Sequence, residues 1–428
     1  MGNSMIASPV AGSLAMDILE EINQIRIIDP HSHIPPDAAA AKSIDDLLSY
    51  HYYTELAHSL GMPKACLGSD YPARDRCREI LTYVCRMDNT VQYSWLLRIL
   101  KTTLGYGKNA IDPRDADQLF DASLKTYQAP GWESQSLELG PIDQVFLTND
   151  FDDPLSGFDT DRFVPCLRTD ELVFHWQKPG VRERLLRRTG VDVSDVTSLR
   201  KALRELFQYF LNRGARACAI SLPPHFHAQE VSESDLTGEL LREGPSIGRS
   251  QGIFWELAKC CQEFGLPFDL MFGVNRDVFP KGVHQGRDLF DQRISLIQLA
   301  PLFNAFPSVM FPVSVLSSAQ NSELVAYSWI FPNVIASGHW WYANIPSLIE
   351  QDLRARLHGI PREKILGYYS DMYKLEFGPP KYLMFKQVLA RVLAQDYVAP
   401  GAMTKTQAVA LARDLLRNNP ARIFPAKK

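Results

Sequence analysis

No C-x-x-C pair occurs in these 428 residues, and the seven cysteines (Cys66, Cys77, Cys85, Cys166, Cys218, Cys260 and Cys261) are scattered and odd in number. That pattern argues against a disulfide framework or a cysteine-rich zinc module and fits a reducing compartment, so a cytoplasmic location is expected. No apolar run approaches the roughly 18 residues of a membrane span. No basic leader opens the chain, whose mildly apolar start is broken by Asp17, Glu20 and Glu21. A basic block is missing too: 45 Lys and Arg stand against 49 Asp and Glu, a net charge of -4, which gives no electrostatic footprint for nucleic acid. Internal repeats and low-complexity linkers are absent. With 46% hydrophobic residues the chain can bury a large core. The expected partner is a small molecule, with no membrane and no nucleic acid involved, and a homo-oligomer is compatible with this composition.

What is present is an alternation of short apolar runs with helical patterns. The runs are Ile25–Asp29, Val145–Thr148, Phe163–Leu167, Ala215–Ser221, Pro267–Gly273, Val309–Leu316, Val334–Ser337 and Ile365–Ser370. Helical spacing falls between most of them, as in Leu199–Leu211, Phe254–Phe264, Leu289–Ala300 and Ile345–Leu357. Strands alternating with helices pair in parallel, and eight such units predict an α/β fold of the (β/α)8 TIM-barrel type. An open doubly wound sheet is the structural alternative, but no glycine-rich turn follows the first run. Residues 1–24 read as an N-terminal extension and 25–425 as a single barrel domain. Within it, a helical insertion over about 37–140, including Ile44–Leu60 and Tyr93–Leu104, caps the mouth.

In such a barrel chemistry gathers at the carboxyl ends of the strands. The first run ends in Asp29-Pro30-His31-Ser32-His33. In an extended backbone residues i and i+2 share a side, so both imidazoles can converge on one metal ion. Barrel closure sets the eighth strand beside the first, so Asp371, just past Ser370, can complete a His31, His33, Asp371 metal shell. Other strand ends offer Asn149-Asp150, Arg168 with Asp170, Asn275-Arg276 and His339-Trp340-Trp341. A second H-x-H, His225 and His227, follows two prolines, so the same-side geometry does not apply there. These two read as a substrate loop or surface histidines.

Several motifs in order resemble the uronate isomerases (glucuronate isomerases) of the amidohydrolase superfamily, with this chain as a divergent member. D-P-H-S-H is similar to the family's D-T-H-C-H, and His51-Tyr52 resembles part of D-H-Y-K-W. T-N-D-F-D-D-P-L and V-P-C-L-R-T-D resemble T-T-D-D-P and W-R-P-D. D-L-M-F-G-V-N-R, S-G-H-W-W-Y-A-N and G-Y-Y-S-D-M-Y resemble Q-L-H-I-G-A-x-R, G-S-G-W-W-F-N-D and G-x-x-T-D-S-R. The resemblance implies one divalent ion, usually zinc, on His31, His33 and Asp371. It also implies proton transfer between C2 and C1 of a uronate such as glucuronate or galacturonate, with Asp371 and Tyr52 as candidate bases and His51 as their proton-sharing partner. Arg168 and Arg276 would contact the substrate, Trp340 and Trp341 would wall the sugar, and His339 and Tyr373 would stand close by. The departures concern the substrate. Met271 replaces the fifth-strand histidine, Met372-Tyr373 replaces Ser-Arg with Lys374 one position off, and His339 stands where the family has glycine. Losing a bidentate carboxylate anchor costs on the order of a few kcal/mol of binding. The alternative is a hydrolase or decarboxylase on the same scaffold, acting on another small polar substrate. Such enzymes draw further histidines from strands five and six, and here those strands have none.

Overall fold

A computed structural model describes residues 9–426. Parallel strands Ile27–Asp29, Ile142–Phe146 and Phe163–Val164 form one run of the sheet. Cys166–Arg168, Ala217–Leu222, Phe268–Phe272, Phe311–Val315 and Val334–Ala336 form the other. Pro165, which has no N–H to donate to a ladder, divides the third barrel position into two short pieces. Asn149 stitches across that break: its N–H donates to Cys166 O at 2.9 Å, and its carbonyl accepts from Arg168 N at 2.9 Å. The eighth position, 365–370, joins Ala336 through Leu366 N–H at 2.9 Å. It meets the first strand where Ser370 N–H donates to the Asp29 carboxylate at 3.0 Å. The ring is closed, and the protein is a (β/α)8 barrel.

Burial on both faces explains the strand composition. Phe268–Phe272 is buried along its whole length, as expected for a parallel strand between a packed interior and a helical layer. Inward residues Ile28, Phe146, Cys166, Ala219 and Leu366 cluster with Ile423 and Phe424 of the C-terminal segment. Each large apolar side chain so placed contributes about 2 kcal/mol. Among the outer helices, Val196–Leu211 shows how the sequence sets this layer. Asp195 and Ser198 form its capping box, and Leu199, Leu203, Leu206 and Phe210 lie on its buried face.

Most expected elements fall within a few residues of their place, and three differ. The second strand is Ile142–Phe146, displaced toward the N-terminus. Ile44–Leu60 is two helices, Ile44–Leu48 and His51–Ser59, because Tyr50 adopts an extended backbone (ψ 131). Leu289–Ala300 is not a helix. Leu289–Phe290 pairs antiparallel with Val274–Asn275, and the helix that follows is Ala300–Ala305. A 3-10 turn, Leu296–Leu299, capped by Ser295, leads into that helix. Helices Ala73–Val84, Val91–Leu104, Ala116–Tyr127 and Trp132–Glu138 complete the segment before the second strand. The expected extension over 1–24 lies partly outside the described residues, and Pro9–Asn23 is a helix beside Gly378–Leu393. No helix among the described residues is long and apolar enough to cross a membrane.

Gly338, after the seventh strand, has φ +35, and a Cβ there would lie 1.9 Å from the buried Tyr369 ring. That ring in turn packs 5.1 Å from His31. Gly338→Ala should therefore lower the unfolding free energy by about 3 kcal/mol, read from the denaturant midpoint. An unchanged midpoint would contradict this packing.

Candidate metal centre and active site

The strand carrying Ile27–Asp29 ends as the chain enters Pro30, and short polar contacts fix the next three residues. Ser32 Oγ donates to Phe146 O at 2.8 Å, and His33 N–H donates to Met372 O at 2.9 Å. Thr148 Oγ1 donates to Ser32 O at 3.0 Å and lies 2.8 Å from His33 Nδ1. A hydroxyl has one proton to give, so His33 Nδ1–H is the donor to Thr148 and its Nε2 lone pair is free. His31 Nδ1 faces Asp269 Oδ2 at 3.7 Å, which turns His31 Nε2 the other way. Second partners of this kind select the metal-binding tautomer of an imidazole.

Both Nε2 atoms face Asp371 Oδ1, at 3.8 Å from His31 and 3.4 Å from His33. All three donors lie within 4.8 Å of one another. Ligands about 2 Å from a shared ion stand about 3–4 Å apart. His31 Nε2 and Asp371 Oδ1 are buried without a hydrogen-bond partner, an arrangement that is costly unless something else satisfies them. Two imidazoles and a carboxylate therefore fit a divalent cation. Asp371 itself has φ +52, a left-handed backbone rare outside glycine. Its N–H donates to His31 O at 3.2 Å, its carbonyl accepts from Tyr50 OH at 2.7 Å, and its Oδ2 accepts from Tyr52 OH at 3.2 Å.

Burial sets the charges. It pushes the Asp29 carboxyl up to about 6 against its bonds from Ser370. It likewise raises Asp371, with His31 and Lys381 opposing. His33 is held well below the ordinary imidazole range by burial and by its cationic neighbours. His51 is lowered by burial in the same way, so both rings are neutral near pH 7. For His31 burial also works downward, but Asp269, Asp371 and Asp29 outweigh it and leave the ring raised.

A cavity of about 110 Å³ opens onto this cluster, lined by His31, His33, His51, Arg168, Arg276, Met271, Trp340, Trp341, Asp371 and Tyr373 among others. Arg168 Nε is held by Asp170 Oδ2 at 3.1 Å. Arg276, more exposed, is held by Asp288 Oδ2 at 2.5 Å. Tyr373 OH accepts from Gln285 Nε2 at 3.0 Å, a loop amide where an arginine was expected. Two expected site residues lie elsewhere. His339 is 1% exposed and sits in the barrel wall, its Nδ1 3.8 Å from Asp352, because the Gly338 turn directs it away from the cavity. Tyr52 lies behind Asp371, 6.2 Å from Trp95, and does not line the cavity. His225 and His227 are exposed. Sequence reasoning missed Asp269, Tyr50, Gln285 and Lys381. A lone carboxylate inside the apolar fifth strand was the available signal for Asp269.

No family model matches the chain. It is 22% identical to the uronate isomerase of Cutibacterium acnes over 452 residues, covering 96% of this chain and 95% of that one. Glucuronate isomerase from Caulobacter crescentus superposes with a TM-score of 0.89 at 20% identity, covering 98% of this chain and 95% of that chain. Uronate isomerase from Thermotoga maritima gives 0.87 at 19%, covering 96% and 97%. Over nearly its whole length the chain is similar to uronate isomerases, in sequence and in fold. Against that family's motifs, the substitutions at Met271 and Tyr373 both face the cavity.

Zinc titration of the metal-free protein should give one site, lost in His31→Ala; a site surviving that change would refute the ligand set. The metal must displace a proton from His31, whose affinity for it is raised. Zinc binding should therefore weaken as pH falls below neutral, by about tenfold per unit for one displaced proton. A flat profile between pH 5 and 7 would contradict this.

Proposed function

We propose that the chain is a metal-dependent aldose–ketose isomerase acting on a uronate, glucuronate or galacturonate, or a close sugar acid, by moving a proton between C2 and C1. One observation carries this reading: a single cavity joins the His31, His33, Asp371 cluster to two guanidinium groups, Arg168 and Arg276. A sugar acid has matching ends, a carbonyl with its neighbouring hydroxyl and a carboxylate.

The bound ion, zinc in this proposal, would polarise the carbonyl and acidify the C2 proton. Arg168, oriented by Asp170, would grip the carboxylate, and Arg276 would approach it from the mouth. Gln285 and Tyr373 would offer neutral donors where the family motif has a guanidinium. Asp371, whose carboxylate reaches both the cavity and the two imidazoles, is the proposed carrier of the migrating proton. Tyr52 would hold Oδ2 of that carboxylate in place. Neutral His51, on the cavity wall, would share a proton with the substrate hydroxyls. Trp340 and Trp341 would wall the sugar, with Trp341 Nε1–H anchored on Glu55 at 3.2 Å. His51 belongs to the segment 37–140, proposed as an insertion that caps the mouth of a single barrel domain. Strand six brings no histidine to the cavity, which favours this reading over a hydrolase, while Met271 in strand five departs from both. Seven free thiols suit a cytoplasmic setting.

In deuterated water the zinc-loaded protein should convert glucuronate or galacturonate to the ketose, with deuterium at the migrating position by NMR. A zinc-loaded protein giving neither product nor exchange with either sugar would overturn the assignment.

A further inference from the structure

Lys381 belongs to the helix Gly378–Leu393 and is fully buried, at 0% exposure. Its ammonium is ringed by the faces of Tyr50, Tyr52 and Trp95 at 4.9, 5.0 and 4.9 Å. It donates to Ser370 O at 2.7 Å and to Tyr50 OH at 2.8 Å, and Tyr50 OH donates in turn to Asp371 O at 2.7 Å. One amine thus fixes the carbonyls on both sides of the Asp371 Cα, the first directly and the second through a phenol. Between those carbonyls lies the residue with φ +52. A non-glycine residue keeps that conformation only where its surroundings over-determine it. Rotating either peptide toward an ordinary backbone would swing Oδ1 away from the two Nε2 atoms.

We infer that Lys381 is a positioning residue for the metal site: it locks the left-handed turn at Asp371 so that Oδ1 is aimed at the ion before the ion arrives. This rests on the reading of His31, His33 and Asp371 as metal ligands. A purely structural lysine would behave differently. A lysine of that kind would lower the melting temperature when replaced and leave the zinc affinity of the folded protein unchanged, whereas a positioning lysine takes the preset geometry of the metal site with it.

The test is zinc affinity by competition with a chelating dye, alongside thermal melting of the zinc-free proteins. Folded Lys381→Met, at a temperature well below its melting point, should bind zinc about 10–100-fold more weakly than the parent, as expected for a lost outer-shell partner. Tyr50→Phe, which cuts the relay from Lys381 to Asp371 O and keeps the bond from Lys381 to Ser370 O, should bind about fivefold more weakly. Should Lys381→Met fail to fold, Tyr50→Phe decides: weaker binding supports the inference and unchanged binding overturns it. A folded Lys381→Met that binds zinc within twofold of the parent overturns the inference and leaves the ligand set standing. A parent protein that takes up no zinc overturns the ligand set and the inference together.

Discussion

Residues 29–33 and 370–372 are far apart in the chain, and a set of hydrogen bonds between them is both the seam of the barrel and the frame of the site. Asp29 accepts from the N–H and hydroxyl of Ser370, Asp371 N–H donates to His31 O, and His33 N–H donates to Met372 O. Each bond contributes about 1 kcal/mol net, but the set acts as a unit. Breaking one would leave a buried carboxylate or amide without a partner, at several times that cost. The geometry of the site follows from the closure. The first strand supplies two imidazoles on one side, and the eighth supplies a carboxylate facing them.

The same closure gathers an excess of buried negative charge. Asp29, Asp269 and Asp371 all lie within the barrel near His31, and Lys381 is the fully buried amine beside them. Burial pushes that amine down to about 7 while Asp371 and Asp29 work to hold its proton. A divalent cation among these groups would offset the desolvation that raises the carboxyls. The outer part of the cavity is different, because Arg168 and Arg276 there are each held by one carboxylate at the mouth. A ligand with a polar carbonyl end and an anionic end matches both regions.

The clustering of His31, His33 and Asp371 was legible from three facts about chain geometry: i and i+2 share a side, chemistry gathers at strand ends, and the eighth strand closes on the first. His339 was not, because a single glycine turn reverses which way the following side chain points, and residue type alone does not report it. Tyr52 was placed near the right carboxylate but on its far side, since the break at Tyr50 resets the helix phase. Leu289–Ala300 read as one helix because its apolar spacing is ambiguous over so short a run, and the pairing of Leu289–Phe290 with Val274–Asn275 is a contact that spacing does not report. Lys381 and Asp269 were invisible for a different reason. Their roles depend on contacts between elements distant in sequence, and locally each is one charge in an apolar run.

The central claim is that His31, His33 and Asp371 together hold the ion that receives the substrate. The most direct test is crystallographic: anomalous scattering from zinc-loaded crystals, collected on both sides of the metal edge. The account requires one strong peak about 2 Å from His31 Nε2, His33 Nε2 and an Asp371 oxygen at once. A peak at another place in the barrel, or one that touches neither histidine, would contradict it.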